Sequence, residues 1–261
     1  MKKASLFAAA VFMGAVAFSA QAKETLSIGA TPVPHAEILE FVKPILAKQG
    51  IELKIVEFND YVQPNLATSD KDIDGNFFQH RPYLDSFIAE HGVKLKEVVG
   101  VHIEPMGVYS KTLKSLKDIK DGAKVAIPND PTNGGRALLL LQSAGLITLE
   151  DPKSIVATPL DVKDNPLHLD IRELEAPQLP RSLDEVAFAI INTNYAIQAD
   201  LNPLKDAIYI EKSDSPYVNI LVGNEESVSK PAMEALKKVL TSEETKDFIN
   251  KKYDGAVVPA F

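Results

Sequence analysis

The sequence predicts an α/β fold of two lobes with a cleft between them. Strand-like and helix-like segments alternate over the first ninety residues, as they do in a parallel sheet with helices on its faces. The same strand–loop–helix pattern restarts at residue 124. Between the two runs, residues 95–110 (LKEVVGVHIEPMGVYS) are β-rich but interrupted by Gly100, Pro105 and Gly107, which reads as a crossover strand. With a return crossover near 205–217, the expected division is a leader at 1–22, lobe 1 at 23–108 and 208–261, and lobe 2 at 109–207.

In order, residues 25–30 (TLSIGA) read as the first strand and 35–49 as a helix, with Ile38, Leu39, Val42, Ile45 and Leu46 at helical spacing. Pro44 inside it predicts a kink or early break, and Gly50 a stop. Residues 53–58 alternate as a second strand, 62–69 form a short helix, and 73–79 form a third strand. Arg81, Pro82 and Tyr83 then open a helix, because proline is tolerated in a first helical turn. In the second run, 124–128 is a strand and 133–145 a helix. Residues 154–159 and 169–174 are expected as short strands, 178–183 as a helical turn and 186–191 as a buried strand. Late strands follow at 207–210 and 218–222, then helices at 230–240 and 242–253, the last with Ser242 as N-cap.

The chain of 261 residues is 45% hydrophobic and 25% charged, the profile of a packed globular protein. Lys2, Lys3, an apolar run over 4–18 and Ala20-Gln21-Ala22 have the pattern of a secretory leader, expected to be cleaved after Ala22. The apolar run is shorter than the ~20 residues a membrane helix needs. With 0 cysteines there is no disulfide, thiolate metal site or cysteine nucleophile, and the expected compartment is a bacterial periplasm. A net charge of −8 disfavours nucleic acid as a partner.

Two strand–helix junctions carry chemistry. Residues 73–85 (IDGNFFQHRPYLD) place two Phe, one His and one Tyr within seven positions, at the kind of junction where open α/β sheets bind ligands. They read as a pocket wall, with a core strand as the alternative. Phe78, His80 and Tyr83 are the pocket residues, and Phe77, one position out of phase, faces the core. Residues 130–136 (DPTNGGR) combine a helix N-terminus, Gly134 and Gly135 for close backbone approach to a ligand, and Arg136, whose guanidinium can grip a carboxylate with two parallel bonds. The alternative is a glycine-rich turn with Arg136 in a surface ion pair. Asn192, Asn194 and Asn219 offer both donors and acceptors, though asparagine is also a common turn residue. The five histidines are scattered, so neither a metal nor a cofactor is expected. Nothing resembles a nucleophile–base set, so an enzyme is not expected.

The blocks FNDYVQPN (58–65), DGNFFQHRPYLD (74–85), VAIPNDPTNGGRALLLLQ (125–142), ELEAPQLPRSLD (173–184), INTNYA (191–196) and SPYVN (215–219) resemble the methionine-binding proteins of the NlpA lipoprotein family. The resemblance runs through almost the whole chain after the leader. It implies a type II-like periplasmic substrate-binding fold whose lobes close on a ligand. It further implies methionine capture for an ABC importer, with an inner-membrane permease as partner. Tyr61, Phe78, His80 and Tyr83 would then surround the thioether, Arg136 would take the α-carboxylate, and Asn192, Asn219 and Asn194 would hold the head group. Another small amino acid or a methionyl dipeptide is the alternative ligand. The family is usually anchored by a lipidated cysteine, whereas residues 19–23 read SAQAK. The expectation is therefore a freely diffusing periplasmic protein that is not a lipoprotein.

Overall fold

The structure is a computed structural model that describes residues 24–212 and 216–261. The expected leader and its cleavage site lie outside the described residues, as does Ser215 of the last resemblance block. In chain order the first lobe comprises β1 (Glu24–Ala30), α1 (Glu37–Lys48), β2 (Ile51–Glu57), α2 (Gln63–Ser69), β3 (Gly75–His80), α3 (Arg81–His91) and β4 (Leu95–Ile103). The second comprises β5 (Gly107–Tyr109), β6 (Lys124–Pro128), α4 (Pro131–Ser143), β7 (Thr148–Leu149), β8 (Val162–Asp164), β9 (Asp170–Leu174), α5 (Leu179–Ser182), β10 (Phe188–Ile191), α6 (Thr193–Gln198), α7 (Pro203–Asp206) and β11 (Tyr209–Ile210). The chain then returns to the first lobe with β12 (Val218–Asn224), α8 (Pro231–Leu240), α9 (Glu243–Tyr253) and β13 (Val258–Pro259).

Two sheets define the lobes. The first has six strands in the order β13-β4-β12-β3-β1-β2, and the second has five in the order β11-β5-β10-β6-β9. Each is mixed rather than purely parallel. β1 runs parallel to β2 and β3, but β12 lies antiparallel between β3 and β4. β6 runs parallel to β9 and β10, and β5 is antiparallel to β10 and β11. The expected two-lobed α/β architecture is thus present. Gly107, Val108, Tyr209 and Ile210 all pair in the second sheet, and the chain passes from the first sheet to the second over 104–106. The expected single strand over 95–110 is two strands, because the chain leaves one sheet at Glu104 and enters the other at Gly107.

Each lobe has its own core. Leu26, Ile28, Phe77, Val101, Leu221 and Leu236 belong to the first, and Val125, Ile127, Leu138, Leu141 and Phe188 to the second. Burial of Ile38, Leu39, Val42 and Leu46 explains why α1 holds its expected face. α1 runs through Pro44 without the expected break, packed against this core. Residues 154–159 are not the expected strand: they form turns and the start of a 3-10 turn at Pro159–Asp161. β3 is buried on both faces, and its two phenylalanines go to different places. Phe77 is fully buried in the first core, while Phe78 lies with Tyr83 and Phe87 in a separate cluster. Among the described residues no helix is long and apolar enough to cross a membrane.

Phe77 and Phe78 should therefore separate in their effects. Phe77→Ala is expected to cost ~3–5 kcal/mol of folding stability in urea titration, the range for a fully buried aromatic. A loss below about 1 kcal/mol would contradict this packing.

Candidate ligand-binding site

A pocket with an empty volume of about 340 Å³, its mouth included, opens between the two sheets. All eight residues nominated from the sequence line it. Tyr61, Phe78, His80, Tyr83 and Asn219 come from the first lobe, and Arg136, Asn192 and Asn194 from the second. Register explains part of this convergence. Asn219 of β12 is paired with His80 on β3 and with His102 on β4, so one row of the first sheet delivers His80 and Asn219 to the pocket, with His102 fully buried in the same row. On the other side, the ends of β6 and β10 run into α4 and α6, which brings Arg136, Asn192 and Asn194 up to meet them.

The aromatic wall is built around Tyr61. Its ring centroid lies 5.9 Å from Phe78, 5.9 Å from Tyr83 and 5.1 Å from Tyr195. The Tyr83 hydroxyl donates to the Tyr61 carbonyl (2.9 Å). The Tyr61 hydroxyl donates across the cleft to Asn194 Oδ1 (2.6 Å), and Tyr195 donates across it to Asn59 O (3.1 Å). Tyr195 belongs to the INTNYA block, but its own spacing gave no reason to single it out.

Asn133 sets the polar side, and sequence reasoning missed it. Asp130 caps α4 by accepting from the Asn133 backbone N–H (2.9 Å), and its carboxylate also accepts from Asn133 Nδ2 (3.0 Å). An ionised carboxylate only accepts, so the Asn133 amide is oriented with Oδ1 toward the pocket. Oδ1 then accepts from His80 Nε2 (3.1 Å) and from Asn192 Nδ2 (2.9 Å). His80 Nδ1 in turn accepts from the Tyr83 N–H (3.1 Å), capping α3. His80 is thereby a neutral Nε2–H tautomer. Two buried polar atoms of the pocket are left without partners among the described residues, Asn192 Oδ1 and Asn194 Nδ2. One is an acceptor and the other a donor.

Two readings of the 130–136 loop are corrected. Gly134 and Gly135 do not serve backbone approach to a ligand. A Cβ on Gly134 would lie 3.0 Å from Pro128 O, and one on Gly135 would lie 2.4 Å from Ile155 O, so both glycines let α4 pack against the protein's own backbone. Arg136 is neither exposed nor a free fork. It is buried, its Nε donates to Glu211 Oε1 (3.1 Å), and its Nη2 donates to Glu104 O (2.8 Å) and to Glu211. The Tyr217 ring packs 4.2 Å from the guanidinium carbon. One edge of the fork is therefore committed to Glu211.

The histidines are less scattered in space than in sequence. His35, His102 and Glu104 bring their ligand-type atoms within 4.8 Å of one another, the grouping that could hold a metal ion among the described residues. They already bond to each other. His102 Nε2 lies 2.8 Å and His35 Nε2 3.3 Å from Glu104 Oε1, and His35 Nε2 also reaches Asn219 Oδ1 (3.0 Å). Burial pushes the His35 pKa down to about 4 and the His80 and His102 values down to about 3, with the Arg136 charge adding to the effect at His80. Burial pushes the Glu104 and Asp130 carboxyls upward, opposed at Glu104 by His35 and Arg136 and at Asp130 by hydrogen bonds from Asn133 and Thr132. Burial likewise raises the Tyr61 and Tyr83 hydroxyls, which stay protonated donors.

The family model described as NlpA lipoprotein matches residues 26–261. The chain belongs to the NlpA lipoprotein family. It is 50% identical over 213 residues to the D-methionine-binding lipoprotein MetQ of Salmonella typhi, covering 81% of this chain and 79% of that protein. It is 44% identical over 241 residues to the protein of the same name from Yersinia pestis, covering 91% and 89%. Among solved structures, a nutrient binding protein from Burkholderia cenocepacia bound to methionine superposes with a TM-score of 0.88 at 45% identity, covering 90% of this chain and 100% of that one. The resemblance read from the sequence blocks therefore holds over the whole described fold. The localisation expectation does not. The NlpA family and both relatives carry lipoprotein in their names, which overturns the expectation of a chain that is not a lipoprotein.

The buried neutral histidines give a signed pH dependence. Their folded pKa values lie below the ordinary 6.5, so their contribution to stability is present above pH 6.5 and is lost as pH falls from there toward 3 or 4. Glu104 and Asp130 titrate with the opposite sign, so a substitution must isolate the effect. The drop in melting temperature between about pH 7.5 and 5 is expected to be smaller in His80→Gln than in the parent. An unchanged drop would show that His80 titrates normally.

Proposed function

We propose that this chain captures methionine and hands it to an ABC importer. The observation that carries the reading is that one pocket joins an aromatic wall to an unpartnered acceptor and donor beside a buried arginine. An α-amino acid needs that combination: donors for its carboxylate, acceptors for its ammonium, and a fitted apolar surface for its side chain. Tyr61, Phe78 and Tyr83 suit a thioether, because sulfur–aromatic contacts are favourable by ~0.3–1.5 kcal/mol. His80, neutral and locked to Asn133, completes that wall without adding charge. Arg136 and the amide nitrogens of Asn194 and Asn219 take the carboxylate, and Asn192 Oδ1 helps take the ammonium. The names of the relatives and of the methionine-bound neighbour support the same ligand. The pocket is small, about 340 Å³ even with its mouth included, which favours the free amino acid over a methionyl dipeptide.

We infer further that the two lobes open and close about the connection at 104–106 and the return connection that follows Ile210. Hydrogen bonds from Tyr61 to Asn194 and from Tyr195 to Asn59 tie the lobes across the cleft and would break on opening. The cargo would then pass to an importer's permease.

Calorimetry on ligand-stripped protein tests the ligand. Heat of binding is expected with L- or D-methionine, and silence toward both and toward glycyl-methionine would refute the proposal. Arg136→Ala should weaken methionine binding by about 10- to 100-fold, since hydrogen bonds to charged groups contribute roughly 1.5–3 kcal/mol. Undiminished affinity would remove Arg136 from the carboxylate site.

A further inference from the structure

The amide network supplies too few acceptors for an ammonium. Three N–H bonds and a full positive charge must be met, yet nearly every amide oxygen at the pocket is occupied. Asn133 Oδ1 already takes His80 and Asn192, Asn194 Oδ1 takes Tyr61, and Asn219 Oδ1 takes His35. Among these asparagines only Asn192 Oδ1 has no partner among the described residues. Arg136, the charged group beside it, is a donor.

Glu104 lies on the first crossing and lines the same pocket, although it is only 6% exposed. Both histidine contacts fall on its Oε1, from His102 at 2.8 Å and His35 at 3.3 Å. His35 is itself held from behind by Thr31 Oγ1 at 2.7 Å from Nδ1. The histidines thus hold the carboxylate through Oε1, a backbone hydrogen bond from Asn194 also reaches it, and the group remains on the pocket lining. The two histidines are neutral, so they orient Glu104 without neutralising it. The nearest cation, Arg136, bonds the Glu104 backbone carbonyl and directs its side-chain fork at Glu211. The Arg136 charge offsets only part of the cost of burying this carboxylate, and an arriving ammonium offsets more of it.

We propose that Glu104 accepts the ligand's α-ammonium and makes the site select amino acids over acids of the same shape that lack the amine. Glu104 and Arg136 then form a pair of opposite poles matched to a zwitterion, and the His35–His102 pair is the support that fixes the negative pole. This inference rests on the methionine reading.

The test compares methionine with 4-(methylthio)butanoic acid, the same molecule without its amine, by calorimetry on stripped wild-type protein and on Glu104→Gln. Wild type should prefer methionine by about 100-fold, the effect of one or two charge-assisted hydrogen bonds. Glu104→Gln should lose at least about tenfold for methionine while holding the des-amino acid within about threefold. Equal weakening of both ligands, or of neither, overturns the assignment. Equal wild-type affinity for the two overturns it without any variant, which covers the case of a substitution that fails to fold. If the wild type is silent to methionine, the methionine reading falls instead. The same paired comparison then runs on whichever amino acid binds and its des-amino counterpart. Loss of amine selectivity in Glu104→Gln supports the Glu104 assignment there, and retained selectivity overturns it.

Discussion

A guanidinium with almost no access to water cannot stand unpaired, and the middle of this molecule is arranged to meet that demand. Arg136 reaches the segment between β4 and β5 through Glu104 O, and the segment after β11 through Glu211. Glu211 also accepts from the Met106 N–H (3.2 Å), and its own N–H donates to Met106 O (2.8 Å). Both segments that connect the lobes are therefore stitched together at Arg136. Removing that charge would leave a largely buried carboxylate behind, a change that costs more than the pair itself contributes. The position of Arg136 also depends on α4 starting where it does, and that start depends on the Asp130 cap and on two glycines that admit the neighbouring backbone.

From this fixed charge outward, the pocket's polarity is decided by hydrogen-bond direction. Asp130 can only accept, so Asn133 must donate to it. That choice propagates to His80 and to Asn192, while Asn194 is oriented independently by the Tyr61 hydroxyl. An asparagine is ambiguous as a residue type but not as a member of this network. Its free atom is an acceptor in one place and a donor in another because the other half of each amide is spoken for. Such pre-orientation lets a polar site discriminate without reorganising when a ligand arrives.

The sequence made the architecture and much of the pocket legible for identifiable reasons. The 3.6-residue spacing of Ile38, Leu39, Val42 and Leu46 and the Pro82 turn placed α1 and α3 nearly to the residue. The one-residue offset between Phe77 and Phe78 distinguished core from cavity. Long-range pairing was out of reach. Nothing local shows that β12 slides between β3 and β4, or that His102 and Asn219 share a row. The Glu104 cluster was missed for the same reason, since its partners come from residues 35, 102 and 219. Arg136 was recognised as a charge that needs an anion, but its intramolecular partner lies 75 positions away in sequence. The strand expected at 154–159 failed because Ile155 and Val156 are half exposed and serve as a rest for α4 rather than as a strand.

The central place of β12 in the first sheet governs the order in which the protein can assemble. The second lobe is a continuous stretch from Gly107 to Ile210, so all of its strands are available together. The first lobe is interrupted: β3 and β4 are made early, but the strand that joins them arrives only with residues 218–224. Until then β1, β2 and β3 form one ribbon and β4 stands apart, each with an open edge. During synthesis the inserted lobe can fold as a unit while the enclosing lobe waits for its returning segment, with non-local pairing as its slow step. The histidine, asparagine and aromatic groups of the first lobe are thus brought into register by one late strand, and the pocket forms as the lobe closes its sheet.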